Sequence, residues 1–414
     1  MSPAFLNEVA APQLHTMTSD VLQLWSLKAK LAKGHPFSVF KDIHHAALDA
    51  IWATAFGSDV GTTKSQTGCL ASLPDTGVDL PVNKDSPVEL PKAPTPAVFN
   101  AILTKSYRTA KAYKDEAINK LMQETLRRFH ENPKAFRENS ALGHLIRREL
   151  TMAEKEGRKP EYDTPAAKDE LLGFLIAGHD TTSTTLAWGL KNLSDHQDVQ
   201  RKLRQTLYTS FRAAVSEERN PTAQEIATFR VPYLDAVIEE MLRCSGTAAG
   251  LFRIATQDTT VLGYHIPKGI DVLCMSNGPG FVTPHLPVEI DEEKRSPSSR
   301  AARVKGGQAG EWDSQSTTMF EPDRWLKSDE KLGELEFDPK AGPTFPFGLG
   351  PRGCFGKKLA YLEMRIFLTL VLWNFELQRT PDDLSSYRAY DKLTHAPEQC
   401  FVRLREVEPA ERLL

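Results

Sequence analysis

Apolar residues recur at helical spacing along most of the chain, which predicts helices at Val39–Phe56, Pro96–Phe129, Asn139–Gly157, Ala166–Leu193, His196–Ala214, Ala223–Arg243 and Phe355–Phe375. In the last of these, Phe355, Leu359, Leu362, Ile366 and Leu370 share one face, the stripe of a helix laid on a core. Strand signals are few and local. Alternation around Gly263, followed by Pro267-Lys-Gly269, predicts a small hairpin over Asp258–Gly269, and Phe375–Arg379 and Phe401–Val407 are further strand candidates. The expected fold class is mainly α with a small β part. No internal repeat divides the chain, and residues 1–414 are read as one domain. Two polar stretches interrupt the pattern. Residues 57–96 are rich in Gly, Ser, Thr and Pro and are expected to form a long surface loop, either over a substrate entrance or as a tolerated insertion. Residues 289–318 have a disorder-like composition, are read as a surface insertion and are assigned no function.

With 414 residues, 40% of them hydrophobic, the chain can bury a large core, and a net charge of −3 without a basic block gives no support for nucleic-acid binding. Small molecules are the expected partners. Cys69, Cys244, Cys274, Cys354 and Cys400 are odd in number, widely spaced and free of any Cys-x-x-Cys pair, which argues against a disulfide framework and for a reducing compartment. No stretch reaches the roughly 18 uninterrupted apolar residues that cross a bilayer. The longest, Ile366–Phe375, is flanked by Glu363 and Arg365 and reads as a core helix. Met1-Ser-Pro-Ala-Phe5 has neither the basic nor the apolar region of a secretory signal.

The densest chemical signal is Phe345-Pro-Phe-Gly-Leu-Gly-Pro-Arg-Gly-Cys-Phe-Gly356, a Gly/Pro loop that carries Cys354 just before the last helix. Gly348, Gly350, Gly353 and Gly356 are expected to take positive φ angles and turn their amides toward the sulfur, and the helix start adds its positive end. Both effects favour a thiolate. Arg352 supplies a cation suited to a cofactor carboxylate, and Phe347 is placed to shield the sulfur from water. A lone cysteine is commonly an ordinary buried side chain. Here Phe347-x-x-Gly350-x-Arg352-x-Cys354-x-Gly356 fixes the residue at five set positions, which favours a metal-binding thiolate. No second Cys or His stands near at ligand spacing, which disfavours zinc.

Ala177-Gly-His-Asp-Thr-Thr-Ser-Thr-Thr185 falls in a helix interior, where Gly costs about 1 kcal/mol relative to Ala and each Thr a few tenths more. Gly178 removes a side chain where a ligand can approach, and Thr181 and Thr182 can bond back to the preceding turn and open the backbone ladder. Asp180 beside Thr181 gives an acid and an alcohol, the pair that passes protons from solvent to a bound oxygen species. A Thr-rich helix packed on a neighbour is the competing reading. Glu240 and Arg243 stand at i and i+3 on one helix face. Lys357 and Lys358 occupy a first helical turn, where the dipole disfavours cations. For the lysines, docking of an acidic electron donor competes with a solvated pair.

Together these motifs resemble those of the cytochrome P450 family, the haem-thiolate monooxygenases. The resemblance implies haem b as cofactor, the Cys354 thiolate as axial iron ligand, and Phe347, Gly350, Arg352 and Gly356 as the rest of the haem-binding signature. It places Gly178, Asp180 and Thr181 in the oxygen-activation motif and His179 at a variable, non-ligand position. It joins Glu240 and Arg243 to Arg324 of Pro322-Asp-Arg-Trp325 in a buried network behind the cysteine loop. By spacing alone, Arg253 matches a position that holds a haem propionate. The implied reaction inserts one oxygen atom from O2 into a lipophilic organic substrate, with electrons from an NADPH-cytochrome reductase. The polar insertion before Phe320-Glu-Pro-Asp-Arg most resembles fungal members of specialised metabolism. A haem-thiolate isomerase or dehydratase working without a reductase, and a non-catalytic fragment that holds no haem, are the alternatives. The resemblance starts late. Ser2-Pro-Ala-Phe5 matches the end of the family's third major helix, so the membrane anchor, the first helices, most of the first sheet and part of the substrate roof are expected to be missing, with apolar surface exposed in their place. A full-length member would lie on the cytosolic face of the endoplasmic reticulum membrane, associated only through that N-terminal part.

Overall fold

The structure is a computed structural model and describes residues 1–74, 78–93, 107–132, 140–284, 291–304, 315–328 and 335–413. The first helix runs where periodicity predicts none. A π-helical segment, Phe5–Ala10, continues into helix α1 (Ala11–Ala32), which buries Leu14, Val21, Leu24, Trp25 and Leu31. Polar residues dilute the stripe, but the helix absorbs them: the hydroxyls of Thr16, Thr18 and Ser19 donate to the carbonyls of Pro12, Leu14 and His15 at 3.0, 2.8 and 2.8 Å.

Helix α2 (Phe40–Phe56) follows the predicted bounds closely. Residues 57–96 are not all loop, because they contain helix α3 (Thr62–Ala71). Its start is capped from α2: the Asp49 carboxylate accepts from the amides of Thr62 (3.0 Å) and Thr63 (2.9 Å). A cap supplied by a distant helix leaves no local sequence mark. Of the predicted helix Pro96–Phe129, residues 96–106 lie outside the described part, and helix α4 covers Tyr107–Glu131. Helix α5 (Ala141–Glu156) starts on the Ser140 hydroxyl, which accepts from the Gly143 amide at 3.1 Å. Helix α6 (Pro165–Asp195) starts in the same way on Thr164.

Two predicted helices divide. His196–Ala214 becomes α7 (Gln197–Ser210) and α8 (Arg212–Ser216), separated by Phe211, whose backbone leaves the helical region at φ −110°, ψ 46°. Ala223–Arg243 becomes α9 (Ala223–Thr228) and α10 (Pro232–Ser245), because Pro232 holds Val231 at φ −129°, ψ 82°. Within residues 289–318, helix α11 covers Pro297–Val304. The last helix is α12 (Lys357–Asn374).

The strands are short. β1 (Phe37–Ser38), β11 (Phe401–Glu406) and β8 (Phe375–Gln378) form an antiparallel sheet with Phe37 opposite Val402 and Leu404 opposite Leu377. β2 (Gly250–Ile254) pairs with β5 (Asp271–Met275), and Phe252, Ile254, Leu273 and Met275 on this ribbon are exposed. The predicted hairpin around Gly263 is β3 (Thr259–Val261) with β4 (Tyr264–Ile266). β6 (Leu326–Ser328) pairs with β7 (Leu335–Phe337), and β9 (Ala389–Asp391) with β10 (His395–Pro397). The core lies where α6 and α12 meet α1, α2 and α10, with Trp25, Leu190, Val237, Ile366 and Trp373 fully buried. Among the described residues, no helix is long and apolar enough to cross a membrane.

Candidate functional site

The loop before α12 is built by its own backbone. Gly348 and Gly350 lie at φ +65° and +68°, left-handed conformations that a side chain would strain. The amides of Gly348, Gly353 and Cys354 then donate to the carbonyls of Phe345, Gly350 and Phe347 at 2.9, 3.0 and 2.8 Å. This corrects the expected cradle of amides around the sulfur. Gly353 and Gly356 have negative φ, −61° and −79°, and the three amides hold the turn shut. A Cβ on Gly356 would meet Cys354 Sγ at 3.7 Å, an ordinary contact. What remains beside the sulfur is the start of α12, with Gly356 as its N-cap. The thiol is exposed.

Because α12 begins at Lys357, Phe355 precedes it and leaves the predicted apolar stripe. Its ring is 72% exposed, while Leu359, Leu362, Ile366 and Leu370 are buried as expected. Phe347 packs on Tyr361, ring centres 5.3 Å apart, and Lys357 Nζ stands 5.8 and 5.7 Å from the two centres. Cys354, Phe347 and Phe355 line a cavity of about 530 Å³, and Ala177, Gly178, Thr181 and Thr182 of α6 line the same cavity. Its surface is mainly apolar, with a thiol on the loop side and a threonine hydroxyl on the α6 side. Those walls fit a flat apolar macrocycle whose metal takes a sulfur ligand.

Glu363 also lines the cavity. Burial alone pushes its carboxyl up to about 8, and the side chain forms no salt bridge with a described residue. The sequence reading treats Glu363 as a polar flank of a core helix. Its spacing, four residues after Leu359 and three before Ile366, places it on the apolar face and is the signal that was available.

On α6, the Thr181 hydroxyl bonds back to the Ala177 carbonyl at 2.6 Å, yet the helix stays α-helical throughout and its ladder does not open. The space left by Gly178 is taken by protein: an added Cβ would stand 2.6 Å from Ile51 Cδ1. Asp180 does not line the cavity. Its Oδ2 accepts from the Thr394 hydroxyl at 2.9 Å, and its Oδ1 lies 3.6 Å from His44 Nε2. These two partners, His44 foremost, outweigh burial and hold the carboxyl below its usual range. His179 is pushed down to about 4 by burial and packs edge-on to His44, outside the cavity lining. Neither His44 nor Thr394 carries a local sequence signal, since each meets Asp180 across more than a hundred residues.

A description of the cytochrome P450 family matches residues 3–278 and 312–397. The chain belongs to the cytochrome P450 family. It is 38% identical to the cytochrome P450 monooxygenase TRI13 of Fusarium sporotrichioides, covering 99% of this chain and 76% of that protein. It is 37% identical to the cytochrome P450 monooxygenase GME11363 of Pestalotiopsis microspora, covering 98% and 74%. Among solved structures, the heme domain of cytochrome P450DA superposes with a TM-score of 0.66 at 21% identity, covering 99% of this chain and 75% of that one, a likeness of fold. The expected mainly α P450 fold is thus the one found. The chain is an oxygen-incorporating oxidoreductase of the monooxygenase family, a family that uses haem and a redox partner.

The expected ion network of this P450 is present and larger than the sequence indicates. Glu240 and Arg243 are fully buried and joined at 2.7 and 2.8 Å, and Arg324 Nε reaches Glu240 at 3.1 Å. The Trp325 indole and the Glu321 amide also donate to Glu240, at 2.9 and 2.7 Å. Arg243 donates to the carbonyls of Phe281, Thr317 and Met319. Arg243 and Phe345–Phe347 line one small cavity of about 70 Å³, which puts the network directly behind the loop. Trp325, next to the recognised Arg324, was the missed member. Arg352 and Arg253 are exposed and do not line the large cavity. Arg253 donates to the Phe252 carbonyl at 2.8 Å.

Proposed function

We propose that this P450 holds haem b between α6 and the Phe345–Gly356 loop, with the Cys354 thiolate as axial ligand, and inserts one oxygen atom of O2 into a lipophilic substrate. The observation that carries this reading is that Cys354 lines one cavity with Gly178 and Thr181 of α6. Bound there, haem supplies the activation of oxygen, and a thiolate ligand favours O–O cleavage. Each residue has its own task. The start of α12 lies beside the sulfur, Phe347 lines the cavity next to it, and Gly348 and Gly350 fix the loop. Thr181 presents a hydroxyl at the cavity wall, and Asp180, on the outer side of the same helical turn, is the proton donor behind it. Arg352 and Arg253 are the cations for cofactor carboxylates. Electrons come from an NADPH-cytochrome reductase that docks near Lys357 and Lys358, on the cytosolic face of the endoplasmic reticulum. The fungal relatives support a substrate of specialised metabolism.

The test is the absorption spectrum of haem-reconstituted protein, reduced and exposed to carbon monoxide. The wild type should show the strongly red-shifted Soret band of thiolate ligation, and Cys354→Ala should lose it. Absence of haem uptake by folded wild type, or the same band in the variant, removes the reading.

A further inference from the structure

We propose that Tyr361 is a positioning residue for the Cys354 loop: its hydroxyl is tethered to Glu239 of α10, its ring holds the Phe347 ring, and the Phe347 carbonyl holds the Cys354 amide. The proposal deepens the function above and rests on Cys354 being the axial ligand there. The chain of contacts starts at the cysteine. The Cys354 amide donates to the Phe347 carbonyl at 2.8 Å, so the place of Phe347 sets where the backbone of Cys354 stands. The Phe347 ring borders both the large and the small cavity, and it packs on Tyr361 with ring centres 5.3 Å apart and planes inclined at 40°.

Tyr361 is fixed in turn at its far end. Its hydroxyl donates to Glu239 Oε1, and Glu239 is buried on α10. Burial foremost, and then Glu239, push the phenol well above its usual range, so it keeps its proton and stays the donor. A phenylalanine here would fill the same space but leave a buried carboxyl without this donor, so the hydroxyl meets a need that packing alone does not. The tether ends on a helix that is itself anchored. One turn before Glu239, Asp235 meets Arg365 of α12, whose guanidinium also donates to the Phe229 carbonyl at 2.8 Å. Tyr361 and Arg365, four residues apart on α12, thus fix its register against Glu239 and Asp235, four apart on α10. Beside Glu239, Glu240 turns to a different side of α10 and accepts from Arg243, Arg324 and Trp325. Lys357 Nζ stands 5.8 and 5.7 Å from the Phe347 and Tyr361 ring centres and within electrostatic reach of Glu239, which closes the cluster at the start of α12.

The test is amide hydrogen exchange in the full chain labelled with nitrogen-15 cysteine, for wild type, Tyr361→Phe and Glu239→Gln, with Cys354 assigned through Cys354→Ala. In Tyr361→Phe the Cys354 amide should exchange about tenfold faster or more, while the Cys244 amide, in the last turn of α10, should stay within about threefold of the wild type. In Glu239→Gln, whose side-chain oxygen still accepts from the phenol, the Cys354 amide should also stay within about threefold. An unmoved Cys354 amide in Tyr361→Phe overturns the proposal, and so does equal acceleration at Cys244, the mark of a general loosening. Acceleration in Glu239→Gln equal to that in Tyr361→Phe overturns it as well, since the tether is intact there. In the haem-loaded protein, reduced and exposed to carbon monoxide, Tyr361→Phe should lose the red-shifted Soret band about tenfold faster than the wild type on standing. Equal rates of loss count against the proposal. If the wild type shows no such band, the ligand role of Cys354 fails, while the amide exchange still decides whether Tyr361 holds the loop.

Discussion

The side chain of Ile51 fills the space above Gly178. A Cβ at 178 would meet Ile51 Cδ1 at 2.6 Å and Cγ1 at 2.8 Å, well inside contact distance. Gly178 thus lets α2 close on α6, and it also lines the cavity. Gly178→Ala should destabilise the fold by about 1–3 kcal/mol through overpacking. Ile51→Ala alone should cost about 2–5 kcal/mol by leaving a cavity. The double variant should cost less than the sum, by about 1 kcal/mol or more, since each change relieves the other. Urea unfolding midpoints of the four proteins check this, and strict additivity would mean that the two residues do not share the space.

Glu240 accepts five hydrogen bonds, from Arg243 twice and from Arg324, Trp325 and the Glu321 amide. Removing it by Glu240→Ala strands two guanidinium groups in a buried setting, which should cost about 3–5 kcal/mol. The expected outcome is a lowered unfolding midpoint and weaker haem retention. A midpoint within error of the wild type would show that the network adds nothing.

The elements most legible in the sequence were those whose stripe is their own property: α2, α5, α6 and α12, and the hairpin around Gly263. The misses share a cause. α3 depends on a cap from Asp49, α1 on hydroxyls turned back onto its own carbonyls, and the division at Phe211 on a ring buried against Phe229, 5.7 Å away. The site divides similarly. Cys354, Thr181 and Arg243 stand in motifs of short local spacing, and Arg324 is joined to them only by the family resemblance. His44 and Thr394 reach Asp180 only through tertiary packing, and the loop's hydrogen bonding depends on which carbonyls its amides face, which residue type does not specify.

Lys357 and Lys358 are not equivalent probes of partner docking. Both are exposed, but the Lys357 ammonium rests over the Phe347 and Tyr361 rings, so its loss also loosens packing beside the loop. Lys358→Glu is the cleaner change. It should raise the reductase concentration needed for half-maximal turnover at low salt, with the difference shrinking as screening rises. Unchanged reductase dependence at low salt would place the docking surface elsewhere.

Glu363 gives the stability of the chain a definite pH dependence. Burial raises its folded-state pKa from 4.5 to about 8, so between those values the folded chain holds a proton that the unfolded chain has released. Such a group stabilises least when deprotonated: its contribution is fully favourable below the unfolded pKa and falls as pH rises toward 8, at about 1.4 kcal/mol per pH unit. Glu363→Gln keeps the shape and removes the titration. The variant should therefore gain on the wild type progressively from about pH 5 to pH 8, and the two should differ little near pH 4. Urea unfolding free energies across that range are the measurement. Parallel curves for the two proteins would mean that the carboxyl is ionised in the fold, with water or a counter-charge reaching it.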